Sequence, residues 1–254
     1  PKKDYSTEET VTLKSYVENG GKMFIATNLI TKEEFPNIYA FLEGYGIKLV
    51  DGYILEKDAN MYLSSYSFSS PFYLLPDKAD HEITAQFANY YLLFPGTQGF
   101  EISEDLPEGV SVDSLLTSSD KAFATTDYET RESADFKDGD IKPESVFNVG
   151  AVIHVNSGDE GENSGVIVYY SCSTFINSQI NSVVGGTNSA LAVSSMSYLN
   201  GKKASVNIPS KSLEMQPLSF SAQQVTLFTI LLILVIPIAV LVTGIVVWAR
   251  RRKR

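Results

Sequence analysis

The first part of the chain alternates between helical and extended patterns of apolar residues. From Leu13 to Val17, apolar residues are three or four positions apart, which is the spacing of one helix face. A capping box at residues 6–9 predicts the start of this helix, and the glycine pair at residues 20–21 predicts its end. The apolar run at residues 22–27 then predicts a buried strand.

The same alternation continues along the next thirty residues. A second helix is predicted to begin near Pro36 and to end at Gly46, and short strands follow at residues 47–50 and 53–55. Alternating helices and strands are typical of α/β domains. The pattern therefore predicts a mostly parallel sheet flanked by helices, in a Rossmann-like or flavodoxin-like arrangement.

The remaining pattern is less regular until about residue 147. Further strands are predicted wherever short apolar runs are bounded by turn residues, and one further helix follows a glycine pair. The charged, turn-rich stretch at residues 127–144 predicts a surface loop. The predicted strands are at residues 90–94, 111–117, 147–155, 165–170 and 204–208, and the helix is at residues 188–199.

A long apolar segment near the C-terminus predicts a transmembrane helix. It begins at Val225, ends at Trp248 and contains no charged residue. As a helix its 24 residues would span about 36 Å, against about 30 Å for the hydrocarbon core of a bilayer. Pro237 and Gly244 are tolerated in such a helix, and Trp248 suits the interface. The alternative is a buried helix of a globular domain.

Charge is distributed unevenly about this segment. The formal net charge is −10, and the last five residues contribute five positive charges, so the rest carries −15. The acidic part is expected to repel nucleic acid. By the positive-inside rule, the basic tail is expected in the cytoplasm. The topology signal consists of Arg250, Arg251, Arg252, Lys253 and Arg254.

These observations predict a single-pass protein of the cell membrane, in contact with the lipid bilayer. An extracytoplasmic α/β domain covers residues 1–215, and a linker covers residues 216–224. The transmembrane helix covers residues 225–248, and a basic cytoplasmic tail covers residues 249–254.

Several of these segments together resemble one family, the gliding-motility-type (GldG-like) auxiliary components of ABC transporters. The resemblance depends on the order of the motifs and covers most of the chain, weakly between residues 55 and 110 and around residues 125–145. It is carried by Pro1 to Ser6 with Glu9, Leu13, Tyr16 and the segment Asn19 to Lys22; by Phe35 to Asn37 and Glu43 to Ile47; by Leu115 to Ser119; and by Gly185 to Asn188, the following helix to Leu199, Ile208-Pro209, Pro237, Gly244, Trp248 and the arginines.

The resemblance implies a function as well as a fold. It implies a non-enzymatic accessory subunit of a bacterial ABC transporter, whose outer domain contacts substrate or partner proteins. Permease and ATPase subunits would be its partners, and ATP hydrolysis would belong to the ATPase, since this chain has no Walker motif. Relatives tend to have a glycine-aspartate-serine turn where this chain has residues 171–175, so no role of that aspartate is carried over.

A cysteine-dependent, amidotransferase-like hydrolase is a further hypothesis. Cys172 follows a predicted strand, where nucleophiles are found in α/β enzymes, and a thiol nucleophile needs a base. Only His81 and His154 are available, and neither has a visible pairing with the cysteine. A structural role for Cys172 is therefore expected, with no catalytic residue assigned.

Other candidate sites have simpler structural interpretations. The run Gly185 to Asn188 resembles an anion-binding helix start, but an Asn188 cap explains it. Asp159, Glu160 and Glu162 are expected at a hairpin tip rather than in a calcium site. No metal ligand or cofactor-binding residue is assigned. A ligand- or glycan-binding receptor is the alternative function, and its surface would use the aromatic residues Tyr62, Tyr66, Phe68, Phe72 and Tyr73.

The predicted strand at residues 22–27 raises a further expectation. Its apolar composition is typical of a strand with neighbours on both sides, and the helix before it has no preceding strand. We therefore expect an upstream part of the protein to supply a strand beside it, together with the export signal of an outer domain.

Overall fold

A computed structural model of the protein describes residues 3–64, 69–127, 137, 140–141, 144–156, 164–201 and 229–252. The chain forms two compact units. The first contains Pro1–Leu63 and Ser70–Leu213, and the second contains Ser64–Ser69 and Glu214–Arg254. The predicted strand at residues 204–208 and the acidic residues 159, 160 and 162 lie outside the described residues, as does most of the predicted loop at residues 127–144.

Three of the four described α-helices of the first unit begin and end close to the predicted positions, and the fourth, Ser178–Val183, was not predicted. The capping box is confirmed, since the Glu9 N–H donates to the Ser6 hydroxyl and the Ser6 N–H donates to the Glu9 carboxylate. The described helices of this unit are α1 (Thr7–Glu18), α2 (Pro36–Glu43), α3 (Ser178–Val183) and α4 (Thr187–Leu199).

The largest sheet of the described residues has seven strands. From one edge it runs β1, β12, β11, and β11 also pairs with both β9 and β8. Strand β9 continues to β6, and β8 continues to β2. The members are β1 (Lys22–Ala26), β2 (Ile47–Leu49), β6 (Asp77–Lys78), β8 (Phe100–Ile102), β9 (Val110–Thr117), β11 (Asn148–Asn156) and β12 (Ser164–Tyr170).

The prediction of a mostly parallel sheet is wrong. Of the strand pairs described in this sheet, only β1 with β12 is parallel, and the others are antiparallel. A parallel pair needs a crossover between its strands, usually a helix, and among the described α-helices only α2 lies between strands in the first half of the chain. The fold is therefore mixed α/β, not Rossmann-like or flavodoxin-like.

Helices cover both faces of this sheet. Successive residues of β12 point to opposite faces, so Val168 packs in one apolar core with α4, and Tyr169 packs in another with α1 and α2. The described residues also form two smaller sheets. One pairs β3 (Tyr53–Leu55) with β10 (Phe123–Thr125), and the other contains β4 (Tyr62–Ser64), β5 (Ser69–Leu74) and β7 (Phe94–Pro95). The predicted strand at residues 90–94 is thus found only at its last residue.

The prediction of a transmembrane helix is also corrected. In the part of the chain that the structure describes, each helix is too short or insufficiently apolar to cross a bilayer. Helix α5 (Ile236–Arg252) has 17 residues including three arginines, and a π-helical turn, Leu231–Val235, precedes it. A spanning helix needs about 20 mostly apolar residues. The single-pass membrane location inferred from residues 225–248 is therefore not supported.

Candidate functional site

Strand β1 is an edge strand whose apolar residues are unusually exposed. Among the described residues it pairs with β12 alone. Six of the seven residues of β12 are buried, whereas the four apolar residues of β1 are only half-buried and Lys22 is exposed. A sequence typical of a central strand thus lies at the edge of the sheet.

The backbone register shows which groups of β1 face outward. The Val166 N–H donates to the Gly21 carbonyl over 3.1 Å, and the Thr27 N–H donates to the Tyr170 carbonyl over 3.0 Å. In a parallel ladder, alternate residues direct both backbone groups to the same neighbour. Odd-numbered residues of β1 therefore bond to β12, and the N–H and C=O groups of Phe24 and Ala26 point away from it.

The beginning of this edge is already covered by α1. The Tyr16 hydroxyl donates to the Lys22 carbonyl over 3.3 Å, and the Tyr16 ring lies directly over Gly21, where a Cβ atom would collide with it. At the far end, the Asn28 carboxamide oxygen accepts hydrogen bonds from the Ser173 N–H and hydroxyl, at 3.0 and 2.8 Å. Among the described residues, the part of this edge that no other segment covers is therefore the stretch from Phe24 to Ala26.

Helix α4 lies over this part of the sheet. Phe24, Ala26 and Ala192 pack against the same apolar core. Ser194 donates to the Ile83 carbonyl over 3.1 Å, so that flank of α4 faces the loop after β6. The angular spacing of helical residues places Ala192 and Met196 on the opposite flank, toward β1.

This flank of α4 is apolar and open. Met196 and Val193 are each 51% exposed. A shallow cavity of about 350 Å³ lies along the outward face of the helix, and its described lining comes from α4 alone: Ala192, Val193, Met196, Ser197 and Asn200. We call the Phe24–Ala26 stretch together with Ala192 and Met196 the β1 edge site.

The other edge strands of the described sheet lack these properties. Strand β2 is three residues long, with Ile47 and Leu49 buried and only Lys48 exposed. Strand β6 contains only Asp77 and Lys78. Short or charged edge strands resist pairing with other chains, and β1 is longer and apolar.

Cys172 lies in the core next to this site but is not placed for chemistry. Its side chain is fully buried, and its thiol donates to the Pro95 carbonyl over 3.3 Å. Burial raises the pKa of the thiol to about 12. A thiol that is protonated and inaccessible cannot act as a nucleophile at neutral pH.

The two histidines of the chain are brought together by the fold. The centre of the Tyr198 ring lies 5.2 Å from that of His81 and 6.4 Å from that of His154. The Tyr198 hydroxyl is 3.4 Å from His154 Nε2, and an Asp113 carboxylate oxygen is 3.7 Å from the same nitrogen. Burial lowers the pKa of His81, whose Nδ1 accepts a hydrogen bond from the Ile83 N–H.

Sequence spacing gave no signal for this cluster, because its members come from β9, β11, α4 and a loop. Neither histidine is near Cys172 in any described contact, so the cluster does not supply a base for the thiol. Among the described residues, no group of three or more His, Cys, Asp and Glu side chains is placed to hold a metal ion.

The proposed aromatic surface is divided between the core and the undescribed residues. Phe72 is buried in a small apolar core with Leu55 and Phe123, and Tyr73 packs against it. Tyr62 is half-buried, and Tyr66 and Phe68 lie outside the described residues.

Asn188 does not cap α4 as predicted. The cap position is Gly186, which has a positive φ of 91°, as glycine permits. The fully buried Asn188 side chain instead accepts from the Leu93 N–H over 3.0 Å and donates to the carbonyls of Leu93 and Phe175, at 2.8 and 2.7 Å. It therefore links the start of α4 to the segment before β7 and to the 3-10 helix at Ser173–Ile176.

The fold is similar to a solved structure, the mmIFT52 N-terminal domain. The TM-score is 0.51 at 16% sequence identity, and the similarity covers 82% of this chain and 76% of that chain. At this identity the likeness shows the fold alone. No protein-family model matches the sequence, and no curated protein matches it significantly.

Proposed function

We propose that this chain is a non-enzymatic accessory component of a bacterial ABC transporter, and that its α/β domain binds a partner protein through the β1 edge site. The observation that supports this proposal is the half-exposed apolar strand β1, with the backbone groups of Phe24 and Ala26 directed outward. Exposed apolar edges favour pairing with another chain, and proteins that do not use them usually cover or charge them.

The transporter setting comes from the sequence resemblance to GldG-like auxiliary components. In that setting the partner is a permease or ATPase subunit of the same transporter. The domain would contribute binding rather than catalysis.

The two other hypotheses receive less support from the geometry. A hydrolase centred on Cys172 would need an accessible thiolate, and this thiol is buried. A glycan-binding surface would need exposed aromatic rings, and Phe72 belongs to a core.

Site-specific photo-crosslinking in the source bacterium tests the proposal. A photoreactive amino acid would replace the exposed residue Lys22 in the full protein, and in a matched strain it would replace Lys48, the exposed residue of the covered edge strand β2. We expect a crosslink from position 22, but not from position 48, to a permease or ATPase subunit identified by mass spectrometry. The absence of any transporter subunit among the products from position 22 would refute the proposed function.

A further inference from the structure

We infer that the β1 edge site recognises an extended segment of the partner by adding it to the main sheet as a strand next to β1. This inference rests on the proposed function and specifies how the partner is bound. The recognition would depend on the main chain of Phe24 and Ala26, with the flank of α4 selecting apolar side chains.

The main-chain part of the site is short and well defined. Phe24 and Ala26 each present one N–H and one C=O group, and residues two apart in a strand are about 6.6–6.8 Å apart, which is the repeat of an added strand. Tyr16 limits the site at Lys22, and Thr27 bonds back to β12. The site therefore accommodates a strand of only a few residues.

The side chains of an added strand would extend the two apolar cores, one on each face of the sheet. Phe24 and Ala26 point to the α4 core, and Met23 and Ile25 point to the core formed with α1 and α2. A residue of the added strand on the α4 side would lie under Ala192 and Met196. An apolar side chain suits this position, because Ala192 packs with Phe24 and Ala26 against one apolar core and Met196 is half-exposed.

Charge favours a partner protein over a second copy of this chain as the occupant. The formal net charge is −10, so two copies repel each other over long range. The strand beside the site carries an exposed lysine, Lys22, which favours a neutral or acidic residue in the neighbouring position of the partner segment.

A matched pair of substitutions at Ala26 tests the main-chain contact. Ala26→Pro removes the outward N–H and leaves the bonds of Met23, Ile25 and Thr27 to β12 in place, and proline is tolerated in edge strands in this orientation. Ala26→Val keeps the N–H and suits a strand. Both would be made in the full protein with the photoreactive residue at position 22. We expect Ala26→Pro to reduce the crosslink to the transporter subunit at least about tenfold, and Ala26→Val to retain it.

A second pair keeps the test decisive if Ala26→Pro impairs folding. Met196→Lys should reduce the same crosslink several-fold, whereas Met196→Leu should not, and both changes are made at a half-exposed residue. Thermal unfolding of all four variants shows whether each retains the native fold.

The outcomes separate this inference from the proposed function. An undiminished crosslink to the subunit in folded Ala26→Pro and Met196→Lys would overturn strand addition and leave the proposed function standing. A crosslink between two copies, or within one chain, would overturn the partner segment as occupant. Loss of every transporter crosslink in the unsubstituted protein would instead refute the proposed function.

Discussion

At the residue scale, Asp4 shows how a side chain outside any helix or strand fixes the position of one. Its carboxylate accepts hydrogen bonds from the Asn37 and Ile38 N–H groups, at 2.8 and 3.1 Å, and from the Asn37 side chain at 2.9 Å. It thus satisfies free N–H groups at the start of α2, for which Phe35 offers no side-chain cap. The sequence showed an aspartate shortly before α1 but not its contact more than thirty residues away.

We expect Asp4→Ala to lower the free energy of unfolding by about 1 kcal/mol, as loss of a helix cap does. Urea denaturation checks this, with the exposed Asp105→Ala as a control that should change stability little. Partial burial opposes ionisation, but the donors at Asn37 and Ile38 prevail and lower the pKa of Asp4. The stabilisation should therefore be present above the usual pKa of 3.8 and be lost as the pH falls through the lowered pKa. A variant as stable as the unsubstituted protein at neutral pH would contradict the capping role.

His81 should make the free energy of unfolding depend on pH in a higher pH range than Asp4 does. Burial lowers its pKa below 6.5, against the attraction of Asp113, so the folded state favours the neutral ring. The unfolded chain then binds more protons between the two pKa values, and the free energy of unfolding should fall as the pH drops below about 6.5. Denaturation curves between neutral and mildly acidic pH measure this slope.

The control for His81 is the other histidine. His81→Gln should reduce the slope below pH 6.5, and His154→Gln should leave a slope attributable to His81. If the slope is the same with and without His81, the histidine does not titrate as its surroundings require.

At the scale of elements, the sequence near the start of α4 predicts where the helix begins but not which distant segments it contacts. The glycine pair correctly indicated a helix start, because Gly185 and Gly186 adopt positive φ values of 63° and 91°. The sequence could not show that Asn188 forms hydrogen bonds with Leu93 and Phe175, since those segments meet only in the folded domain.

We expect Asn188→Ala to destabilise the domain by about 3 kcal/mol. Three buried backbone groups would lose their partner, and each unsatisfied group costs about 1–3 kcal/mol, reduced where water enters. Asn200→Ala, at the exposed end of the same helix, should cost far less. Equal chemical denaturation midpoints for the two variants would show that Asn188 does not fasten the helix.

For the strands, too, the sequence predicted the positions correctly but not the contacts between distant segments. The apolar run at residues 22–27 correctly predicted β1, and those at 111–117, 147–155 and 165–170 correctly predicted β9, β11 and β12. Pairing was the part that failed, because apolar strands in parallel and antiparallel sheets have similar compositions when both faces are covered by helices. The expectation that an upstream segment supplies a strand beside β1 remains a prediction, since the described residues show only the pairing of β1 with β12.

At the scale of the whole molecule, Cys172 reports on global unfolding. It is fully buried in the core shared by β12 and α4. We expect a thiol reagent to label the native protein slowly, at a rate that rises with denaturant in parallel with unfolding. Because this is the only cysteine, one labelled site is diagnostic. Rapid, stoichiometric labelling in the absence of denaturant would show that the thiol is accessible and would reopen a reactive role.

The sequence alone determined where most of the helices and strands of the first unit lie, because spacing, capping residues and glycines act over a few residues. Tertiary structure decided the mostly antiparallel pairing, the exposure of β1, the burial of Cys172 and Phe72, and the meeting of His81 with His154. In the structure, α5 is a helix of 17 residues whose last three residues are arginines. The composition of residues 225–248 had instead predicted a helix long enough to span a membrane. The physical reason is common to these cases: burial and pairing depend on residues distant in sequence, whereas periodicity records only the local backbone.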